Sequence, residues 1–211
     1  MELRIEGFND GDWIPERFAF GAPHAEQHMQ FGGNRNPGLS WQGLPDGTAS
    51  LVLLCYDDDV PARPDDVNQE GRTIAEDFES TRFYHWVMVD VATDLKSIAE
   101  GSVCDGVTPG GKKNPPSPGQ ARQGLNDYTS FMGDDPEMGG KYFGYDGPCP
   151  PWNDERMHHY HFVLLATDLK QCPVEGEFGG ADVEKALEGH VLDRAEVMGR
   201  YSLYPPLLKN R

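Results

Sequence analysis

The residues best suited to chemistry in this sequence lie in three separated segments: Asp57 with Asp59, then His85, then His158 with Tyr160. Histidine ordinarily titrates near ~6.5, so it can carry charge, donate or accept. A carboxylate beside it can orient the ring and raise its pKa, and a phenol adds a further donor. Such a set could hold an anion, act as acid and base, or, with both aspartates, ligate a metal ion. For any single member the plainer account is a hydrogen-bonded core histidine or a solvated loop aspartate. Gly147-Pro148-Cys149-Pro150-Pro151 precedes the third segment, and this stiff stretch without large side chains lets backbone groups approach a ligand. No Ser or Thr stands in these motifs, and Cys149 has no helix N-terminus to lower its pKa. Binding is therefore preferred to the hydrolytic alternative.

Other suggestive spacings fail on physical grounds. Gly106-Val-Thr-Pro-Gly-Gly111-Lys112-Lys113 nearly spells a phosphate-cradling loop. Lys113 replaces the hydroxyl residue, prolines follow where a helix should begin, and no buried strand comes before. His24 and His28 are four apart, as two metal ligands on a helix would be, yet no third ligand is near and Pro23 is adjacent.

The positioning elements are mostly strands. Residues 49–56 form a continuous apolar run, expected for a central strand covered on both faces. Residues 83–91 form a second, with alternation placing Phe83, His85, Val87 and Val89 on one side. Residues 158–168 put His158, Tyr160, Phe162 and Leu164 together, and residues 194–203 do the same for Ala195, Val197 and Tyr201. One helix, capped by Asp182, carries Val183, Ala186, Leu187 and His190 and ends near Gly189. Residues 57–82 and 101–157 show little periodicity, and connections that long are usually functional.

The 211 residues fit one domain, and 37% hydrophobic content suffices for a core. Net charge of −17, with no basic stripe, disfavours nucleic acid and anionic membranes as partners. The N-terminus lacks a signal-peptide pattern, no run approaches the ~18 apolar residues of a bilayer span, and Cys55, Cys104, Cys149 and Cys172 are scattered. A cytoplasmic protein with free thiols is expected. No cofactor motif is evident. Apolar rims at residues 190–192 or 204–208 suggest a homodimer.

Five ordered motifs resemble the phosphatidylethanolamine-binding protein family, also called Raf kinase inhibitor-like, in its bacterial and archaeal branch. Asn36-Pro37-Gly38-Leu39-Ser40-Trp41 resembles its "SPPLSW" element, and Gly47-Thr48-Ala49-Ser50-Leu51 leads into the first core strand. Asp57-Asp58-Asp59-Val60-Pro61 resembles "DPDAP", and Phe83-Tyr84-His85-Trp86-Val87 resembles "WxHWV". Gly144-Tyr145-Asp146-Gly147-Pro148-Cys149-Pro150-Pro151, then His158-His159-Tyr160, resembles "GYxGPxPP…HRY". The likeness spans about residues 30–205. It implies a mostly β sandwich, a large antiparallel sheet on a smaller one with short peripheral helices. It also implies an anion pocket that lands on Asp57, Asp59, His85, Cys149, Pro150, His158 and Tyr160. The expected guest is phosphate or a phosphorylated head group such as phosphoethanolamine, and the expected partners include kinases or proteases. Asp58 replaces the usual proline, His159 stands where arginine is common, and residues 62–82 and 104–140 are longer than the family core.

Carboxylates at an anion site would repel phosphate unless neutralised. Asp57 is expected to hydrogen-bond His85 or His158 and raise its pKa. Asp59 is left open as the partner of an ammonium group, and a protonated carboxylate is the third solution. A charged histidine anchor makes phosphate affinity fall as pH rises past the shifted pKa.

Overall fold

Every side chain of the apolar run after Ala49 finds cover, because one face of its strand meets a second sheet and the other meets a helix. The computed structural model describes residues 1–209 and 211. Its strands are β1 (Glu2–Ile5), β2 (Gly21–His24), β3 (His28–Phe31), β4 (Leu39–Gln42), β5 (Ser50–Pro61), β6 (Ser80–Val91), β7 (Ser97–Ile98), β8 (Arg122–Gln123), β9 (His158–Thr167) and β10 (Val191–Tyr201). Its helices α1 (Tyr128–Phe131), α2 (Gly180–Ala186) and α3 (Pro205–Leu208) are all short. The main sheet is antiparallel in the order β10-β9-β5-β6-β8, and β1-β4-β7 form a smaller one. The hairpin β2–β3 stands apart from both.

Alternation along β5 divides the core. Leu51, Leu53 and Cys55 pack with Leu3, Leu39, Trp41 and Ile98 between the two sheets. Val52, Leu54 and Tyr56 join Val183 and Leu187 beneath α2 on the opposite face. Each fully buried side chain of this kind contributes ~1.5–3 kcal/mol of transfer free energy. Phe162 and Leu164 of β9, with Ala195, Val197 and Tyr201 of β10, complete the inter-sheet layer. The mostly β expectation, with a large sheet on a smaller one, matches this architecture.

Three expectations need correcting. Residues 57–61 continue β5 rather than starting a loop, and register shifts between Asp57 and Val60 hide the strand periodicity there. Phe83, His85, Val87 and Val89 do not share a face. The β5–β6 register slips between Cys55↔Trp86 and Tyr56↔Tyr84, which leaves His85 as an extra, bulged residue. Beyond it Trp86 and Met88 enter the inter-sheet core, while Val87 and Val89 turn towards α2. Finally, Gly179 rather than Asp182 caps α2; the Asp182 carboxylate accepts the Gly179 N–H at 2.9 Å from inside the first turn.

The long stretch 101–157 contributes only β8 and α1 as regular elements. Polar side chains take over the backbone pairing that strands would supply. Asn36 accepts the N–H groups of Val103 and Cys104, and Asn126 donates to the Gly144 carbonyl. Among the described residues no helix is long and apolar enough to cross a membrane.

Candidate functional site

Three adjacent strands converge on one end of the main sheet. Asp57 of β5 lies opposite Phe83 of β6 on one side and Tyr160 of β9 on the other. The bulge in β6 turns His85 towards the same place, with its ring 5.1 Å from that of Tyr160 and 4.8 Å from that of Phe83. A cavity of about 370 Å³ opens there. Asp57, His85, Cys149, Pro150 and Tyr160 line it, joined by Phe83, Asp127, Tyr128 and Phe131 among others.

His158 and Asp59 do not line it. His158 is fully buried behind Asp57, donating from Nδ1 to Asp57 Oδ2 at 2.6 Å and from Nε2 to Asp154 Oδ2 at 3.2 Å. Burial acts to lower the pKa of this imidazole, but the two carboxylates outweigh it and hold the group at about 10. His158 is therefore an imidazolium whose N–H groups are both spent, and its charge is shared between Asp57 and Asp154. Asp59 turns the other way. Its Oδ2 accepts both the backbone N–H and Nδ1 of His159, and its own N–H donates to Asp57 Oδ1 at 2.8 Å.

His85 is the opposite case. Burial, the largest influence, drives its pKa down to about 4, so it is neutral near pH 7. Nδ1 donates to the Asp146 carbonyl at 2.9 Å, which fixes the tautomer and leaves Nε2 as a lone-pair acceptor. The two histidines thus divide the work: one supplies buried charge, the other a neutral ring at the cavity wall.

The carbonyl that holds His85 belongs to a rigid floor. Asp146 is buried, and its carboxylate accepts Asn34 Nδ2 and Lys112 Nζ, each at 2.7 Å, and Asn126 Nδ2 at 2.9 Å. Lys112, from the loop that mimics a phosphate cradle, is thereby an internal counter-ion. Gly147 donates to Asn34 Oδ1, and a Cβ here would lie 1.9 Å from the Phe18 carbonyl oxygen, so only glycine fits. Tyr128 donates its hydroxyl to the Gly147 carbonyl at 2.8 Å.

The remaining charges at the cavity are mostly committed. Arg82 makes a two-point contact with Asp58, at 2.6 and 2.9 Å, reaches Glu184 at 2.7 Å, and lies 3.9 Å over the Tyr56 ring. Asp127 accepts the Tyr84 N–H at 2.8 Å, and burial raises its pKa. Burial also pushes the Cys149 thiol up to about 12, and lifts the Tyr160 phenol, with Asp57 adding to the rise. Both stay protonated at neutral pH. Among the described residues, no three His, Cys, Asp or Glu side chains are arranged to hold a metal ion. His24 and His28 face each other across the β2–β3 hairpin instead of along a helix: His24 accepts the turn N–H groups of Glu26 and Gln27, and His28 pairs with Glu70.

Residues 4–202 match the family described as phosphatidylethanolamine-binding protein. The chain belongs to this phosphatidylethanolamine-binding protein family. It is 30% identical over 201 residues to a UPF0098 protein of Methanothermobacter thermautotrophicus, covering 95% of this chain and 98% of that one. The Escherichia coli UPF0098 protein YbhB is 27% identical, with 96% and 100% covered. The crystal structure of E. coli YbcL, described as a new member of the mammalian family, shares the fold at TM-score 0.65 and 24% identity over 95% of this chain and 97% of that one.

Within this family member, Asp154, Asp127, Tyr128 and Phe131 bear on the cavity and carry no signal in the sequence, and Asp146 stands only at an unspecified position of a motif. Asp154 sits four residues before His158, a spacing that signals nothing in an irregular stretch. Asp127 and the α1 aromatics lie in an aperiodic segment whose approach to β6 depends on long-range packing.

Proposed function

We propose that the cavity is a non-catalytic binding site for a small phosphorylated anion, a phosphomonoester or phosphate held in its singly protonated form. The observation that carries this is the neutral His85 beside a carboxylate that is paired from behind with an imidazolium. Asp57 shares the imidazolium of His158 with Asp154, so part of its charge is offset before it meets the guest. His85 Nε2 can accept a P–OH hydrogen bond, and the protonated Tyr160 phenol can donate to a phosphoryl oxygen. This replaces the expectation of a charged histidine touching the anion: the charge stands one layer behind.

The hydrolytic alternative lacks an activated nucleophile. The Cys149 thiol is held far from ionisation by burial, and Asp57 is engaged by His158. Nothing here lowers a pKa towards the working range of a nucleophile.

The reading fixes a pH dependence. Phosphomonoesters lose their second proton near ~6. Between about pH 5 and 6 His85 is neutral and the ligand already carries its proton, so affinity is level. Above ~6 each complex must take up a proton, and affinity falls up to about tenfold per pH unit. Titration calorimetry with phosphoethanolamine from pH 5 to 9 tests this. A level affinity over that range contradicts a singly protonated guest on His85.

A further inference from the structure

We infer that the fold leaves Asp46–Gly47 as the one Asp–Gly linkage open to spontaneous backbone modification, cyclising to a succinimide and reopening as isoaspartate. Aspartate stands before glycine four times, at Asp10–Gly11, Asp46–Gly47, Asp105–Gly106 and Asp146–Gly147. The chemistry needs the carboxyl of the first residue to meet the backbone nitrogen of the second, and glycine has no Cβ to shield that nitrogen. By residue type the four sites are equals. The fold separates them.

At three of the sites both reacting groups are held. Gly11 donates its N–H to the Met198 carbonyl at 2.8 Å, while Asp10 accepts the Met198 N–H. Gly106 donates to the Asn34 carbonyl at 3.4 Å, while Arg35 grips the Asp105 carboxylate at 2.6 and 3.3 Å. Gly147 donates to Asn34 Oδ1 at 2.8 Å, and the Asp146 carboxylate is occupied by Asn34, Lys112 and Asn126. A bonded amide gives up its proton only after its segment opens, which adds a barrier at these sites. Asp46 and Gly47 are instead the two exposed central residues of the turn Pro45–Thr48, between β4 and β5. That turn is closed on the Pro45 carbonyl by the Thr48 N–H at 3.3 Å and the Thr48 hydroxyl at 2.6 Å. Among the described residues, neither the Asp46 carboxylate nor the Gly47 N–H has a hydrogen-bond partner. Gly47 holds a φ of +86°, and a Cβ there would meet only the tip of Leu192 at 3.9 Å, so water reaches both groups.

The step needs no reagent but water. Gly47 N attacks Asp46 Cγ, an N–Cγ bond forms, and the amide hydrogen leaves with the carboxyl hydroxyl as water. Water then adds back to the ring. Opening at N–Cγ restores aspartate, whereas opening between the nitrogen and the Asp46 backbone carbonyl carbon routes the main chain through Cβ and Cγ. The product keeps the mass of the chain and its charge of −17.

The test incubates the full chain for weeks at neutral pH, with and without guanidinium. Peptide digests are then probed with a protein isoaspartyl methyltransferase and S-adenosylmethionine, and the labelled position is mapped. In the folded protein, isoaspartate is expected at position 46 about tenfold or more faster than at 10, 105 or 146, and in guanidinium the four rates should converge to within a few-fold. Asp46→Glu, which would need a larger ring, should lose the label at 46 with its unfolding midpoint unchanged. Absence of isoaspartate at 46 in the folded protein overturns the inference, as does its appearance at the other three sites at the same rate. A preference for 46 that persists undiminished in guanidinium also overturns it, since the fold would then not be what selects the site.

Discussion

His158 and His85 show how burial alone does not decide the charge of a histidine. Both are buried, yet one is held at about 10 and the other at about 4. The difference is two carboxylates against one carbonyl. Linkage turns this into a stability profile. His158, with its folded pKa raised above the unfolded ~6.5, stabilises fully below that value, and the contribution is lost as pH rises towards 10. His85, with its folded pKa lowered, stabilises above ~6.5 and loses that as pH falls towards 4. From this pair, denaturant midpoints should peak near neutral pH. Replacing His158 by Ala leaves Asp57 and Asp154 as uncompensated buried charges and should cost about 3–5 kcal/mol by chemical denaturation. His85→Ala should cost less stability but abolish phosphate binding in calorimetry. Asp57, His85 and Tyr160 could be picked out from the sequence as candidates, because polar types inside apolar strands stand out, whereas most of the residues lining the cavity could not. The sequence did not disclose which histidine is charged, since that depends on Asp154 and Asp146, contributed by loops.

At the scale of elements, Asn153, Glu155 and Arg156 fasten the segment between β5 and β6 over the cavity. Asn153 accepts the Asn68 N–H at 2.9 Å and donates to the carbonyls of Asp66 and Arg72 at 2.8 and 3.2 Å. Ile74 exchanges backbone bonds with Asn153 and Glu155, and Arg156 donates to the carbonyls of Asp59, Glu76 and Phe78. Asn153→Ala removes three bonds at once and should cost about 1–3 kcal/mol. Amide exchange should rise across residues 66–74 while β5 and β9 keep their protection. Unchanged exchange in that segment would show that Asn153 does not fasten it. The long strands were legible, β5, β6 and β9 from apolar runs covered on both faces and β10 from an alternation that buries one face. The bulge at His85 was not, because an inserted residue looks like ordinary alternation until the partner strand fixes the register. The strands β1, β4 and β7 are two to four residues long, too short for a periodic signal.

For the whole molecule, the net charge of −17 surrounds a site read here as an anion pocket. Long-range repulsion then opposes the guest, and contacts at short range must overcome it. Raising sodium chloride from 10 to 150 mM should strengthen orthophosphate binding a few-fold by screening that field, the reverse of a basic pocket. A fall in affinity with salt would indicate a local positive potential that the committed Arg82 and Lys112 do not provide. Family-level likeness over nearly the full chain agrees with the motifs read from the sequence, and those holding Asp57, His85 and Tyr160 meet at the cavity because they lie on β5, β6 and β9. The central claim, that neutral His85 is the group that meets the ligand, is tested most directly by imidazole nitrogen-15 spectra at pH 5.5 during titration with phosphoethanolamine. The account predicts that the His85 resonances shift to saturation while those of His158 remain those of an imidazolium. Saturable binding that leaves His85 unmoved would contradict it.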